Sequence, residues 1–184
     1  MKPFVSSTAD YHRHHLNSLG WELTVCAMTE DPEGPCRRAL GEDLSYGAHL
    51  SRLLARHLDW MRVSRMLEIG GGYGFVMRDL LAAHPRVRAT MLDISPHLLS
   101  RQRETVGAER AEFIEGDFFE FDKERLASYD LAILNEIIGD FPALCDIDAE
   151  ALEGACEVAE VQTARRLFLD YGLELPEGPF VFNL

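Results

Sequence analysis

The pattern of apolar and polar positions predicts alternating helices and strands over most of the chain. Leu50, Leu53, Leu54 and Leu58 recur at three- and four-residue steps, which predicts an amphipathic helix over residues 45–61. Short continuous apolar runs follow at intervals, and each ends in a polar or glycine-containing segment. The runs that predict strands span residues 65–69, 87–92, 112–116, 129–135 and 166–170.

The segments between these runs predict helices, which is the order expected of a doubly wound parallel sheet. Helices are predicted over residues 75–83, 96–106 and 147–163. Ser95-Pro96 is typical of a helix start, with a capping serine and a proline at the first helical position. Strands without internal alternation are typical of a sheet that helices cover on both faces. We therefore predict an α/β protein with a Rossmann-like doubly wound parallel sheet.

The regions outside this alternation carry weaker patterns. Residues 1–44 predict a helical extension, broken by a turn with two prolines and a glycine at 30–35, ahead of a main domain over 45–184. After the fifth predicted strand, only residues 180–182 predict a further one. We therefore expect a sheet truncated before a final strand hairpin, with an edge that a second chain could complete in a homo-oligomer.

The most informative segment joins the first predicted strand to the helix after it. It runs from Glu68 through Gly70, Gly72 and Gly74 into that helix, and Asp93 ends the next strand. A turn without side chains lets a ligand lie against the backbone, and an acid one strand later can accept hydrogen bonds from a ribose. Together these features predict a nucleoside-bearing cofactor at the carboxyl edge of the sheet.

The glycine spacing and the acids resemble those of class I S-adenosylmethionine-dependent methyltransferases. The third glycine of a dinucleotide fingerprint is missing, since position 75 is Phe. The resemblance implies S-adenosylmethionine as the cofactor, with Glu68 toward its methionine end, Asp93 on the ribose hydroxyls and Asp117 near the adenine. The cofactor-binding residues that it implies are Glu68, Gly70, Gly72, Gly74, Asp93, Ile94, Asp117 and Phe118.

Longer phrases are similar to the MidA-type methyltransferases, which include complex I assembly-factor enzymes that methylate an arginine of a partner subunit. The similarity spans about residues 44–142, with phrases that begin at Glu68, Asp93 and Asn135. The chain departs from that family at Gly71, where proline is usual, and at Asp93, where glutamate is common.

The resemblance implies methyl transfer to a protein side chain, arginine favoured, or to a small molecule. A guanidinium needs a carboxylate to orient it, and we expect Glu136 to do so, with Asn135 bounding the site and Asp140 as second choice. Two alternatives stay open. One is an aminopropyl transferase resembling spermidine synthase, and the other is a non-catalytic cofactor-binding or assembly module.

The composition and the absence of targeting patterns limit the classes of partner and the compartment that we expect for this protein. Lys plus Arg is 18 and Asp plus Glu is 31, a net charge of -13 that argues against nucleic-acid binding. The sequence shows no secretory leader, no run of about 20 apolar residues and no paired cysteine spacing. We therefore expect a cytoplasmic protein without a membrane span. His12, His14 and His15 have no acid or thiol at ligand spacing, so no metal site is predicted.

Overall fold

The computed structural model describes residues 2–14, 24–154, 158–175 and 177–183 of the protein. These residues form two compact units. The larger is Tyr11–Ile137, and the smaller consists of the described residues within Met1–Asp10 and Ile138–Leu184. The domain boundary predicted after residue 44 stays a prediction. No helix within those four ranges is both long enough and apolar enough to cross a membrane.

Helices and strands follow one another along the chain. The strands are β1 (Phe4–Ser6), β2 (Arg65–Ile69), β3 (Arg88–Asp93), β4 (Ala111–Glu115), β5 (Leu131–Leu134), β6 (Ala143–Ile147) and β7 (Phe180–Asn183). The helices are α1 (Ala9–His14), α2 (Val25–Met28), α3 (Pro35–Ala39), α4 (Tyr46–Leu54), α5 (Phe75–Ala83), α6 (Pro96–Val106), α7 (Lys123–Leu126), α8 (Ala149–Glu153) and α9 (Ala159–Tyr171). Short 3-10 turns lie at Trp60–Arg62, Phe118–Glu120 and Ile138–Asp140.

A four-stranded parallel sheet in the order β4-β3-β2-β5 is the framework of the larger unit. The first four predicted strands are confirmed, each to within two residues at either end. The helices predicted over 75–83 and 96–106 are confirmed as α5 and α6. The strand order reverses between β2 and β5, and ligands of open α/β sheets bind at the carboxyl ends of the strands beside such a reversal.

Apolar side chains cover both faces of this sheet. Met66 of β2 lies in one cluster with Leu80 of α5, and both are fully buried. Leu67, the next residue along β2, lies in a second cluster with Leu126 of α7. Successive strand residues point to opposite faces, so the two clusters account for the continuous apolar runs of the strands.

The packing of α4 on α5 depends on a glycine. A Cβ atom added to Gly47 would lie 2.7 Å from both Cβ and Oδ2 of Asp79. Ser45 caps α4 by accepting from the Ala48 amide at 3.4 Å, and its hydroxyl donates to the Asp79 carboxylate. The bare backbone at Gly47 therefore lets α4 approach Asp79 closely enough to form this bond.

The smaller unit contains an antiparallel sheet in the order β1-β6-β7, with α8 and α9. Leu144 and Ile147 of β6 are fully buried in one cluster with Val161 and Ala164 of α9. The register shifts between Leu144 and Ile147, where Asp146 has a φ of 54°. The strand predicted over 180–182 is confirmed as β7, but it pairs with β6 and not within the parallel sheet.

Two predictions for the last third of the chain are wrong. The strand predicted over 166–170 lies inside α9, and the helix predicted over 147–163 is divided among the end of β6, α8 and the start of α9. Val161, Ala164 and Phe168 recur at helical spacing and pack into one apolar cluster. Leu169 is 75% exposed, as expected on the outer face of a helix. Within the residues that the structure describes, the sheet of the larger unit therefore has four parallel strands, and the predicted fifth is absent from it.

The N-terminal extension is helical only in part. α1 and α2 fall within the stretch predicted as loosely helical, and β1 precedes them as a strand that the pattern did not indicate. Residues 15–23, which include His15, and Cys156 lie outside the described residues. The helix predicted over 45–61 ends at Leu54, and Asp59 begins a separate turn further along by accepting from the Met61 amide at 3.0 Å.

We expect Gly47→Ala to lower the free energy of unfolding by about 1–3 kcal/mol, because the added methyl group would overlap Asp79. Gly139→Ala is the matched control, since nothing lies within 4 Å of a Cβ added there. Urea denaturation followed by circular dichroism measures both variants. Equal stability of Gly47→Ala and the wild type would contradict the close packing of α4 on α5.

Candidate active site

The glycine turn leads from β2 into α5 at the carboxyl edge of the parallel sheet. Gly70, Gly72 and Gly74 have φ values of 63°, 54° and 82°, in the left-handed region that favours glycine. Gly74 is also the N-cap of α5. The alternating glycines of the sequence thus correspond to alternate left-handed residues, and with Gly71 four positions of the turn carry no side chain.

Glu68 lies beneath this turn, one residue before the end of β2. Its side chain is 1% exposed, and a Cβ added to Gly71 would be 2.8 Å from its Oε2 atom. Oε2 has no hydrogen-bond partner in the part of the chain that the structure describes. Burial, followed by the charge of Asp93, raises the pKa of Glu68 to about 8. The site therefore contains a buried acid with one carboxyl oxygen that no donor among the described residues satisfies.

Asp93 ends β3 and is buried as well, with 4% of its surface exposed. Its Oδ1 accepts from the Ser95 amide at 2.9 Å, and its Oδ2 accepts from Nε2 of Gln102 at 2.7 Å. Burial raises the pKa of Asp93 to about 6, and these two hydrogen bonds oppose the rise. Ile94 follows and is partly buried. The Asp93 carboxylate is thus held by α6 and its cap, and it keeps lone pairs for further donors.

The third predicted acid follows β4. Asp117 caps the 3-10 turn after it, with Oδ1 accepting from the Phe119 amide at 3.0 Å, and its Oδ2 pairs with Arg13 at 3.1 Å. Phe118 is partly buried and packs against the apolar cluster that contains Leu67. Both predicted residues stand at the end of β4, and their contact with a ligand stays a prediction.

Asn135 and Glu136 follow directly after β5. Glu136 has a φ of 55°, a strained conformation for a residue with a side chain. Its Oε1 accepts from the Val25 amide at 3.4 Å, and its Oε2 accepts from Nδ2 of Asn135 at 3.3 Å and from the Cys26 thiol at 3.9 Å. The carboxylate of Glu136 therefore contacts the start of α2, in a strained backbone of the kind that clusters at functional sites.

Two side chains that sequence reasoning did not single out join this cluster. The Tyr46 hydroxyl donates to Oδ1 of Asn135 at 2.9 Å, and the Cys26 sulfur lies 3.5 Å from Nδ2 of the same residue. Burial, then the charges of Glu136 and Glu68, raise the pKa of the Cys26 thiol to about 12. Local patterns could not indicate these contacts, because Cys26 and Tyr46 are 109 and 89 residues from Asn135.

A network of polar contacts holds the segment that carries Cys26 and Tyr46. Arg78 of α5 donates to both carboxylate oxygens of Glu30, at 2.6 and 2.8 Å. The Thr29 hydroxyl accepts from the Tyr46 amide at 3.1 Å. These contacts connect α2 and α4 to the helix that follows the glycine turn, and so place both side chains beside the end of β5.

The remaining catalytic candidate, Asp140, belongs to the smaller unit. It ends the 3-10 turn at Ile138–Asp140, and its backbone carbonyl accepts from the Thr8 hydroxyl at 2.8 Å. The role of Asp140 as the second choice after Glu136 stays a prediction.

The site of the larger unit is acidic. Asp93 raises the pKa of Glu68, and the charges of Glu68 and Glu136 raise the pKa of Cys26, so the acids at the carboxyl ends of three strands influence one another's surroundings. Carboxylates accept hydrogen bonds and attract cations, and they suit a cationic or hydroxyl-bearing ligand better than an anion. Among the residues described, no three metal-binding side chains come close enough together to hold an ion.

Two curated relatives are O-methyltransferases from Streptomyces. The chain is 32% identical over 92 residues to the tetracenomycin polyketide synthesis 8-O-methyl transferase TcmO of Streptomyces glaucescens, across 48% of this chain and 27% of that protein. It is 27% identical over 158 residues to the 2,7-dihydroxy-5-methyl-1-naphthoate 7-O-methyltransferase of Streptomyces carzinostaticus, across 75% of this chain and 46% of that protein. The chain thus spans less than half the length of both relatives.

A solved structure, that of the mitomycin 7-O-methyltransferase MmcR, matches 62% of this chain and 33% of its own, with a TM-score of 0.44 and 26% identity.

The two Streptomyces relatives confirm the resemblance to class I methyltransferases and correct the narrower resemblance to the MidA-type family. The expected kinship with the MidA-type family is wrong, because the matching family model is that of an O-methyltransferase domain and the two relatives above are named as O-methyltransferases. The sequence phrases that resemble the MidA-type family lie at the ends of strands. Residues there indicate the cofactor-binding site and do not identify the methyl acceptor.

The profile of the O-methyltransferase domain matches residues 38–153, more than half of the chain. The matched region contains the glycine turn and the acids at the carboxyl ends of β2, β3, β4 and β5. The chain therefore belongs to the family of the O-methyltransferase domain, whose cofactor is S-adenosylmethionine.

Proposed function

We propose that the protein transfers a methyl group from S-adenosylmethionine to a hydroxyl group of a small aromatic molecule. The observation that carries the proposal is a pair of buried acids, Glu68 beneath the glycine turn and Asp93 at the end of the next strand. The names of the two relatives refer to a polyketide and to a dihydroxynaphthoate. Those names support an aromatic hydroxyl as the acceptor.

The residues at the carboxyl edge fit the chemistry of this cofactor. Glu68 has a buried oxygen without a partner among the residues described and a raised pKa, and a cationic ligand group beside it would let the carboxyl ionise. Asp93 keeps lone pairs for two ribose hydroxyls, in charge-assisted hydrogen bonds. The glycine turn would border the same ligand, because a backbone without side chains permits close approach.

Glu136 is our candidate for the base. When bound, S-adenosylmethionine supplies a methyl group activated by the sulfonium. The Glu136 carboxylate would accept the proton of the acceptor hydroxyl as the acceptor oxygen takes up that methyl group. The chain of hydrogen bonds from Tyr46 through Asn135 to Glu136 would hold that carboxylate in place. Alignment of the reacting atoms would then supply much of the rate.

The other reactions considered receive less support. Neither relative is named for a protein arginine, so a small-molecule acceptor is the better hypothesis. Aminopropyl transfer is a different reaction from the one that gives the matched family its name. A non-catalytic cofactor-binding module shares the cofactor site, and only an experiment distinguishes it from an enzyme.

We expect the protein to bind S-adenosylmethionine and S-adenosylhomocysteine in titration calorimetry. Asp93→Asn should weaken both by roughly 10- to 100-fold, because a hydrogen bond to a charged group is worth about 1.5–3 kcal/mol. Glu104→Gln is the control, since this exposed acid of α6 pairs with a surface arginine, Arg101, in a contact of little energetic weight.

The outcomes separate the hypotheses. Wild-type protein that binds neither ligand would contradict the proposal for this chain. Binding of both ligands without methylation of hydroxynaphthoates or other phenols would favour the non-catalytic module. A preference for decarboxylated S-adenosylmethionine would favour aminopropyl transfer.

Glu68 should make the ligand-free protein less stable at high pH. Its pKa of about 8 lies above the ordinary value of 4.5, so the folded state keeps a proton that the unfolded state releases. This stabilisation is complete below the unfolded pKa and is lost as the pH rises through about 8. Glu68→Gln should therefore exceed the wild type in free energy of unfolding above that pH, by at least about 1.4 kcal/mol. Urea denaturation across the pH range measures the difference, and parallel curves would contradict it.

Glu136→Gln should lower kcat by about 10²- to 10⁴-fold, because the amide cannot take the proton of the acceptor hydroxyl. Cofactor affinity in calorimetry should stay near the wild-type value. Methylation of hydroxynaphthoates is followed by mass spectrometry. Asp140→Asn is tested in parallel, and a large loss in that variant with an active Glu136→Gln would assign the base to Asp140 instead.

A further inference from the structure

Gln102 is a fully buried polar side chain in the middle of α6. Its Nε2 atom donates at 3.1 Å to the carbonyl of Gly72 and at 2.7 Å to Oδ2 of Asp93. A single amide group therefore contacts both the glycine turn and the acid at the end of the next strand. None of the predicted site residues makes both of these contacts.

The two acceptors determine the orientation of this amide. A carbonyl and a carboxylate both need a donor, and only the NH2 end of a glutamine offers two. The reverse orientation would place Oε1 of Gln102 against two acceptor oxygens. Oε1 itself has no hydrogen-bond partner among the residues that the structure describes. The side chain thus leaves one acceptor buried and unsatisfied while it makes both donor bonds.

Packing alone does not require a polar side chain here. A Cβ added to Gly74 would lie 3.3 Å from Cα of Gln102 and 3.0 Å from Cγ2 of Val106, so α6 lies close against the turn. Methionine has the same length as glutamine and would fill the space without any buried polar atoms. The amide of Gln102 is therefore best explained by its hydrogen bonds.

The charges around Asp93 make its ionisation sensitive to this contact. Glu68 on β2 lies close enough to interact with it, and His12 on α1 lowers its pKa. The Ser95 amide and Gln102 donate directly to the carboxylate. Burial raises the pKa of Asp93 to about 6 even with both donors present. Removal of one donor would raise it further, toward neutral pH.

We infer that Gln102 is a positioning residue for the cofactor: its amide keeps the Asp93 carboxylate charged and tied to the Gly72 carbonyl, so that Asp93 can accept hydrogen bonds from ribose hydroxyls. The inference rests on the proposed function and deepens it. It assigns the control of the ribose-binding acid to a side chain that acts through that acid.

Gln102→Met tests the inference, because methionine keeps the length of the side chain and removes both donors. Affinity for S-adenosylhomocysteine is measured by calorimetry across the pH range. Near about pH 6 the variant should bind roughly tenfold or more weakly than the wild type, and near about pH 8.5 within about threefold, since Asp93 is then ionised in both proteins. Glu68 and His12 are present in both proteins, so their contributions largely cancel in the ratio of affinities.

A second readout needs no ligand. The carboxyl carbon of Asp93, followed by NMR in the ligand-free protein, should titrate at a higher pH in Gln102→Met than in the wild type. Gln102→Glu, which replaces the amide with a second carboxylate, should raise the midpoint further, and it tests the inference if the methionine variant does not fold. Gln162→Met, at an exposed position of α9, is the matched control and should leave the midpoint unchanged.

A merely structural role would reduce affinity by the same factor at every pH and would leave the Asp93 midpoint unchanged. That result would overturn the inference. If the wild-type protein binds neither S-adenosylmethionine nor S-adenosylhomocysteine, the proposed function and the ligand assigned to this site are overturned. Because wild-type binding is measured before any variant, this failure is distinguished from a failure of the inference about Gln102.

Discussion

Burial of both faces of the parallel sheet decides where this protein can carry polar chemistry. Met66 and Leu67 illustrate the constraint, because these sequence neighbours are both fully buried in separate clusters. When neither face is open to water, the polar side chains of a sheet collect at the strand ends. Glu68, Asp93 and Glu136 follow this rule. Their common edge is a consequence of the parallel direction of β2, β3 and β5.

The same constraint explains why most of the larger unit could be predicted from the sequence. Buried strands give continuous apolar runs, and the turns between them carry local signals such as Ser95-Pro96 and the glycines. The last third of the chain lacked such signals. The apolar run at 167–169 is compatible with a strand or a helix, and only the packing of Phe168 with Val161 and Ala164 favours the helix. The pairing of β7 with β6 is likewise a long-range choice that no local pattern encodes.

The residues of the candidate site also fall into two groups, those that local sequence patterns predict and those that only tertiary packing brings into the site. Asp93 and Asn135 could be predicted because each lies next to the end of a strand. Cys26 and Tyr46 could not, since they are distant from Asn135 in the sequence and contact it only through tertiary packing. Gln102 was visible as a helical residue, but its hydrogen bonds depend on how closely α6 packs against the turn. Sequence patterns thus report the acids of this edge, and tertiary packing supplies the groups that hold them.

The left-handed backbone of Glu136 lowers the stability of the fold at a position whose carboxylate we propose as the base. A side chain at a φ of 55° costs about 1–3 kcal/mol, and glycine or asparagine would relieve most of that strain. Either replacement would also remove the carboxylate. Laboratory evolution of this fold for heat resistance alone is therefore expected to discard Glu136 early, while the buried core still tolerates little change. An engineering campaign on this protein has to select for turnover alongside melting temperature, or it will produce a stable scaffold without the carboxylate that we propose as the base.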